Sequence, residues 1–230
     1  MHSNSQNSNF QAVIFDMDGL LVDSEPIWQD VAIDVFATVG VPLTPELCQE
    51  STGLGTAAFV KHIYARFPWK QKSQEQIGKE ILTLAHDRIG ADAREMPGAV
   101  ELVRYFYEQN IPLAVASASP MDIIEIVLER LNLRQYFALW HSALLEARSK
   151  PFPDVYLGAA RLLGVEPGAC LAFEDSANGM NSALAAGMLT VAVPAAYEYD
   201  DPKFDAATLK INTLRDFDQT IFDTLLKKLA

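Results

Sequence analysis

Apolar and polar positions along the chain follow two alternating patterns, and their order predicts the architecture. Short apolar runs bounded by turn residues read as buried strands: Val13-Ile14-Phe15, Ile111-Pro112-Leu113-Ala114-Val115-Ala116, Cys170-Leu171-Ala172-Phe173 and Leu189 to Val193, with weaker or shorter runs at Ala138 to His141 and Leu209 to Ile211. Between them, apolar residues recur at helical spacing. Met121 to Leu131 carries Ile124, Val127, Leu128 and Leu131 on one face, and Asp154 to Leu163 follows Pro153, a residue suited to a first helical turn. Ala177 to Ala186 stops at Gly187, a candidate left-handed cap, and Phe217 to Leu229 reads as a surface helix. Near-continuous apolar strands separated by helices predict an α/β fold with a parallel sheet covered on both faces. In such sheets a ligand sits beyond the carboxyl ends of the strands.

One stretch breaks the alternation. Residues 24–92 contain no convincing strand and read as helices. Ile27, Val31, Val35 and Val39 share a face, Thr44-Pro45-Glu46 marks a helix start, and Ser73-Gln74-Glu75-Gln76 is a capping box ahead of Ile77, Ile81, Leu82 and Ala85. A helical insert directly after the first strand must stand over that strand's end, where a lid belongs. The expected organisation is a disordered, Ser/Asn/Gln-rich lead-in at 1–9, a core built from 10–23 and 93–230, and a helical cap at 24–92.

Composition narrows the function classes. The chain has 230 residues, half of them hydrophobic and 21% charged, which suits one large domain or a core with a smaller one. The formal charge of −12 comes with no basic run, so neither nucleic acid nor an anionic membrane surface is expected as a partner. An acidic protein with an anionic substrate must concentrate a metal or its few cations at the site. Cys48 and Cys170 lie far apart without a CxxC, and read as reduced, buried thiols of a cytoplasmic protein. No apolar run reaches membrane-spanning length. The acidic balance is compatible with a monomer.

The candidate chemistry sits where the strands end. Asp16 and Asp18 follow the first apolar run two positions apart, so an extended backbone turns both side chains to one side, and Gly19 permits a tight turn. Convergent carboxylates there suit a hard cation and an activated nucleophile, although a solvated acidic turn would use the same residues. Ser117-Ala118-Ser119 ends the second core strand, Lys150-Pro151 precedes the helix after the third, and Glu174-Asp175-Ser176 ends the fourth. Each alone could be a helix cap or a solvated loop. Together they would face one crevice, and they suit phosphoryl transfer, which needs an in-line nucleophile, a cation and groups that bind phosphoryl oxygens. Asp16 would attack phosphorus. Asp16, Asp175 and the Asp18 carbonyl would hold Mg²⁺, the Asp18 side chain would serve as acid and base, and Ser117 and Lys150 would hold the phosphate.

With Phe15-Asp16-Met17-Asp18-Gly19, the Ser117 strand end, Lys150-Pro151-x-Pro153-Asp154 and Glu174-Asp175-Ser176-x-x-Gly179 in this order, the chain resembles the haloacid dehalogenase-like phosphohydrolases over roughly residues 11 to 215. The resemblance implies a Rossmann-like, doubly wound core with a helical cap inserted after the first strand, Mg²⁺, and an aspartyl-phosphate intermediate. It implies Asp16 as nucleophile, Asp18 as acid/base, Ser117, Ala118 and Lys150 as phosphate binders, and Asp16, Asp18, Glu174 and Asp175 around the metal. Asp23-Ser24-Glu25-Pro26 and Ala116-Ser117-Ala118-Ser119 are most similar to the beta-phosphoglucomutase-like branch, and within it to 2-deoxyglucose-6-phosphate and hexitol phosphatases.

In that branch the mutases carry a cap-hinge His where this sequence has Trp28. An indole cannot relay a proton, so hydrolysis of small sugar phosphates, hexose or hexitol 6-phosphates, is expected over mutase chemistry or phosphoglycolate hydrolysis. Trp28 could stack on a sugar or simply pack the hinge. Substrate choice is expected from the cap, through the Thr52-Gly53-Leu54-Gly55 loop and a cation such as Lys79. Arg148-Ser149 replaces the glycine common before Lys150, which bears on that loop's conformation. His62 and His86 are expected on cap surfaces. Receiver domains also pair acidic residues and Mg²⁺ with a phosphorylatable Asp, but they are about half this length and lack the insert and the second Asp.

Overall fold

The computed structural model describes residues 9–49, 51 and 54–229, with Gln49 described by its backbone; residues 1–8 of the lead-in expected at 1–9 and the Thr52-Gly53 pair lie outside the described residues. Strands β1 (Ala12–Phe15), β2 (Val22–Asp23), β3 (Arg94–Glu95), β4 (Leu113–Ser117), β5 (Leu139–Ser142), β6 (Cys170–Glu174), β7 (Leu189–Ala192) and β8 (Leu209–Lys210) alternate with helices α1 (Glu25–Ala37), α2 (Pro45–Gln49), α3 (Thr56–Arg66), α4 (Gln74–Asp92), α5 (Ala99–Glu108), α6 (Met121–Arg130), α7 (Asp154–Leu163), α8 (Ala177–Ala185) and α9 (Gln219–Leu226). Six strands form one sheet in the order β5-β4-β1-β6-β7-β8, and every pairing in it is parallel. The chain moves outward from β1 through β4 to β5, then returns to the other side of β1 as β6. That reversal makes the carboxyl end of β1 the switch point, where a doubly wound sheet opens a crevice.

The central strands are apolar because both of their faces are covered. All residues of β1, β4 and β6 are buried. The Phe15 and Phe173 rings stack at 5.1 Å on adjacent strands, and Phe106 of α5 and Phe137 close over them. Beneath the sheet, Ile14, Ala116 and Ala172 meet Val155, Tyr156 and Ala159 of α7. β4 starts at Leu113 and not at Ile111: Pro112 has no N–H for the ladder, though its carbonyl accepts from Val13. α9 is shorter than its apolar pattern, starting after Asp218, whose carboxylate caps the Ile221 N–H. Phe222 and Leu225 make it less of a surface helix than expected, since both are buried, Phe222 against Phe10, Tyr105 and Phe106.

Helices α1 to α4 lie between β2 and β3. Val31, Ala32, Val35 and Phe36 form the buried stripe of α1, and α4 buries Ile77, Ile81, Ala85 and Ile89 behind the Ser73–Gln76 capping box. α4 packs on α1 and α3 and also on core helix α6. Where the chain leaves the core and returns, β2 and β3 pair antiparallel, Val22 opposite Glu95 and Asp23 opposite Arg94. This two-residue ladder was not expected from the sequence, because two residues show no alternation. Cys48 and Cys170 are free and buried, and no helix among the described residues is long and apolar enough to cross a membrane.

Candidate active site

Register brings the first two carboxylates together. Phe15 sits opposite Phe173, and the Asp16 N–H still donates to the Phe173 carbonyl at 3.0 Å, so Asp16 and Glu174 leave neighbouring strand ends side by side. Both are buried. Lys150, arriving from the loop before α7, places its ammonium between them, donating to Asp16 Oδ1 at 2.6 Å and Glu174 Oε1 at 2.5 Å. Tyr156 of α7 also donates to Glu174 Oε1 at 2.7 Å, and the Ser176 N–H and hydroxyl reach Glu174 Oε2. A Cβ on Gly179 would collide with the Glu174 carboxylate, so α8 can pass this close only with glycine there. The Arg148 guanidinium, in the loop that lacks the expected glycine, pairs with Asp154 through two hydrogen bonds of 3.1 and 2.8 Å and ties the loop to the start of α7.

Carboxylate oxygens of Asp16, Glu174 and Asp175 lie within 4.8 Å of one another. Burial pushes the Asp16 carboxyl up to about 8; Lys150 opposes this, while Glu174 and Asp18 add to it. Asp175 is also held well above the ordinary carboxylate range, by burial and then by Asp16 and Glu174. Burial pulls the Lys150 ammonium down, but Asp16 and Glu174 outweigh it and leave the group above the usual lysine value. Three carboxylates facing one ammonium lack positive charge, and an all-oxygen donor set fits a hard divalent cation. Glu174 is already engaged by Lys150, Tyr156 and Ser176. Asp16 Oδ2 and both Asp175 oxygens accept no hydrogen bond from the described residues. Gly19, at φ +80°, turns the chain beneath Asp175; a Cβ there would strike Asp175 Oδ2.

Asp18 stands apart from this cluster. Its carboxylate accepts from Ser24 Oγ at 2.6 Å, Trp28 Nε1 at 3.0 Å, Ser117 Oγ at 3.3 Å and Ser119 Oγ at 2.7 Å. The first two donors belong to the start of the helical insert and the last two to the end of β4. The Asp18 side chain is therefore not among the clustered carboxylates, and neutral donors from core and insert hold it.

Above these groups lies a cavity of about 140 Å³, lined by core residues Asp16, Asp18, Ala118, Ser119, Lys150 and Asp175 and roofed by the insert. A water needs about 10–15 Å³ of such space, so there is room for on the order of ten waters or one small metabolite. Trp28, Ser51, Leu54 and Gly55 line it, flanking the undescribed Thr52 and Gly53. Two expectations change. Ser117 is fully buried with its hydroxyl on Asp18, and Ser119 lines the cavity in its place. Lys79 does not line the cavity: it is exposed and borders a separate groove beside Pro120 and Asp122. Helical phase explains this, because a residue two positions from both Ile77 and Ile81 points away from the face they bury. Glu25, quoted in the Asp23-Ser24-Glu25-Pro26 motif but given no role from the sequence, also lines the cavity, and burial, then Asp18, Asp23 and Glu198, push its carboxyl up to about 7.

Fold and site together define an α/β protein with a carboxylate-rich centre at the switch point of a parallel sheet. Residues 10–187 match the haloacid dehalogenase-like hydrolases, and the chain belongs to that family. Hexitol phosphatase B of Escherichia coli K12 is 40% identical over 207 residues, covering 89% of this chain and 93% of that protein. Among solved structures, CbbY of Rhodobacter sphaeroides superimposes with a TM-score of 0.84 at 24% identity, covering 93% of this chain and 99% of that one. The beta-phosphoglucomutase of Clostridium difficile gives 0.82 at 21% identity, covering 95% and 98%. At those identities the two structures establish a shared fold.

Proposed function

We propose that this chain is a Mg²⁺-dependent phosphatase of small sugar phosphates, hexose or hexitol 6-phosphates such as 2-deoxyglucose 6-phosphate, acting through an aspartyl-phosphate. The observation that carries the reading is the buried Asp16 carboxylate, held 2.6 Å from Lys150 in a small cavity where the neighbouring Asp175 carboxylate has no ion-pair partner among the described residues. Its likeness to hexitol phosphatase B supports the substrate class.

Asp16 Oδ2 attacks the phosphorus of the ester, forming an acyl-phosphate bond as the bond to the sugar oxygen breaks. Asp18 delivers a proton to that leaving oxygen. It then takes one from the water that attacks the acyl phosphate, which releases inorganic phosphate and restores the Asp16 carboxylate. Lys150, the Ala118 backbone and the Ser117 and Ser119 hydroxyls hold phosphoryl oxygens, Ser117 by turning from Asp18. Asp16 and Asp175 would hold Mg²⁺ with the Asp18 carbonyl, and Glu174 serves the metal site chiefly by orienting Lys150. When bound, the metal offsets negative charge on the phosphoryl group and on the carboxylates. Residues 24–92 act as the cap, with β2 and β3 as the crossing on which it moves. The Trp28 indole meets Asp18 only as a donor, which favours water over a proton-relayed second transfer. The enzyme works as a cytoplasmic monomer with neither nucleic acid nor membrane as partner, in keeping with its charge of −12.

Mg²⁺-dependent phosphate release across hexose, hexitol and nucleoside monophosphates and phosphoglycolate, with beta-glucose 1-phosphate interconversion assayed separately, tests the reading. Release concentrated on hexose and hexitol phosphates is expected. Bisphosphate-dependent interconversion without release would make the protein a mutase.

A further inference from the structure

Lys150 reaches the cavity on a long, flexible stem from a loop, residues 146–153, that joins the end of β5 to α7. A group on a loop is placed only as well as the loop is held. Four positions before Lys150, Glu146 Oε1 lies 2.7 Å from Nε2 of His141. A carboxylate can only accept, which puts an imidazole proton on Nε2. His141 is buried on β5 opposite Ala116, and its neighbour Ser142 donates to the Ser119 carbonyl at 2.6 Å. The imidazole is thus anchored in the sheet beside the strand end that presents Ser119 to Asp18. α7 closes over the pair at Gly158, where a Cβ would collide with both Glu146 Oε1 and His141 Nε2. Arg161 reaches the same oxygen at 3.3 Å, but its side chain is 67% exposed against 8% for His141, so solvent screens that contact. His141, Glu146 and Arg161 do not line the cavity. On the far side of Lys150, Arg148 pairs with Asp154 and the Ser182 hydroxyl donates to the Phe152 carbonyl.

We infer that His141 and Glu146 are positioning residues for the reaction. The pair fastens the start of the loop to the sheet, so that the Lys150 ammonium stays between Asp16 and Glu174 and meets the incoming phosphoryl oxygen already in place. An apolar pair of similar volume would stabilise this edge of the core as well, whereas a buried hydrogen bond fixes direction. Misplacing a group by about 1 Å from outside the site can cost on the order of 10²-fold in rate. This rests on the phosphatase reading and adds to it two residues that act through Lys150 and touch neither substrate nor metal.

The test measures p-nitrophenyl phosphate hydrolysis with Mg²⁺, and its inhibition by inorganic phosphate, at a temperature where each variant is folded. In His141→Ala and in Glu146→Ala, kcat is expected to fall about tenfold and the phosphate inhibition constant to rise about threefold or more. The double variant should be no worse than the worse single one, because the two residues act as a unit. His141→Gln, whose amide N–H can still donate to Glu146, should recover most of kcat. Arg161→Ala should stay within about twofold of the parent. If an alanine variant does not fold, Glu146→Gln keeps the size, weakens the acceptor and should lower kcat about threefold. A pair that only stabilises the fold would lower the melting temperature and leave kcat and phosphate inhibition unchanged. That result overturns the inference, as does a loss in His141→Gln equal to that in His141→Ala. Absence of hydrolysis by the parent protein overturns the phosphatase reading and this inference with it.

Discussion

The floor and the roof of the cavity are built on opposite electrostatic plans. On the floor, Asp16, Glu174, Asp175 and Lys150 crowd together at the ends of buried strands, with Asp16 pushed up to about 8. Among the described residues the roof presents mostly apolar and neutral groups, with the Glu25 carboxyl of α1 as its one charged member. Charges held by a parallel sheet cannot relax, so they are suited to stabilising a charged transition state. Neutral groups on a separate helical layer are suited to contacting the rest of a substrate without disturbing those charges. Asp18 joins the two layers, taking two hydrogen bonds from each.

The strongest way to break the comparison is to neutralise the floor. Asp16→Asn should abolish phosphate release, a loss on the order of 10⁴-fold or more, while urea unfolding stays cooperative. Substantial remaining activity would sink the nucleophile assignment. Asp18→Asn should slow hydrolysis about 10²- to 10⁴-fold and let the aspartyl-phosphate accumulate, seen as a phosphate-sized mass increase in acid-quenched protein. A variant with neither the slowing nor the adduct would remove Asp18 from proton transfer.

Lys150→Met leaves two buried carboxylates without their shared cation and should cost about 3–5 kcal/mol of unfolding free energy. If denaturant midpoints barely move, the floor is less electrostatically committed than the distances say.

pH sharpens the same contrast. Asp16 and Glu25 hold protons in the folded, metal-free protein that the unfolded chain releases near its ordinary carboxylate pKa. Raising pH through that range towards 8 therefore draws the equilibrium towards the unfolded chain. Melting temperatures in chelator should fall from about pH 5 to pH 8, and Mg²⁺ should recover the loss; a flat or rising profile in chelator would contradict the crowding. The smallest effect is expected at the seam. Trp28→Phe keeps the ring and removes one donor to Asp18, which should lower kcat by about threefold to tenfold with little change in KM. An unchanged kcat would leave Trp28 as packing alone.

Much of this was legible in the residues. Buried strands announce themselves as apolar runs, and the polar residues that end a run fall at the carboxyl edge of the sheet, so Asp16 and Glu174-Asp175 could be placed before any coordinates, whereas Lys150 comes from the loop before α7. The capping box at Ser73 is equally local, since its hydrogen bonds close within three residues. Lys79 shows a limit that was avoidable: its helical phase against Ile77 and Ile81 already turned it outward.

Other features depend on residues far apart in the chain. Ser117 and Ser119 reach Asp18 across 99 and 101 positions, and Tyr156 reaches Glu174 from a helix whose apolar face hides its hydroxyl. The β2–β3 crossing is two residues long on each side. Local pattern, which depends on backbone period and turn chemistry, decided the strands, the helices and which carboxylates share an edge. Only the packed structure decided which hydroxyls bond to Asp18 and which carboxylates keep oxygens free of the described donors, because desolvation and hydrogen-bond satisfaction belong to the surroundings of an atom and not to its place in the chain.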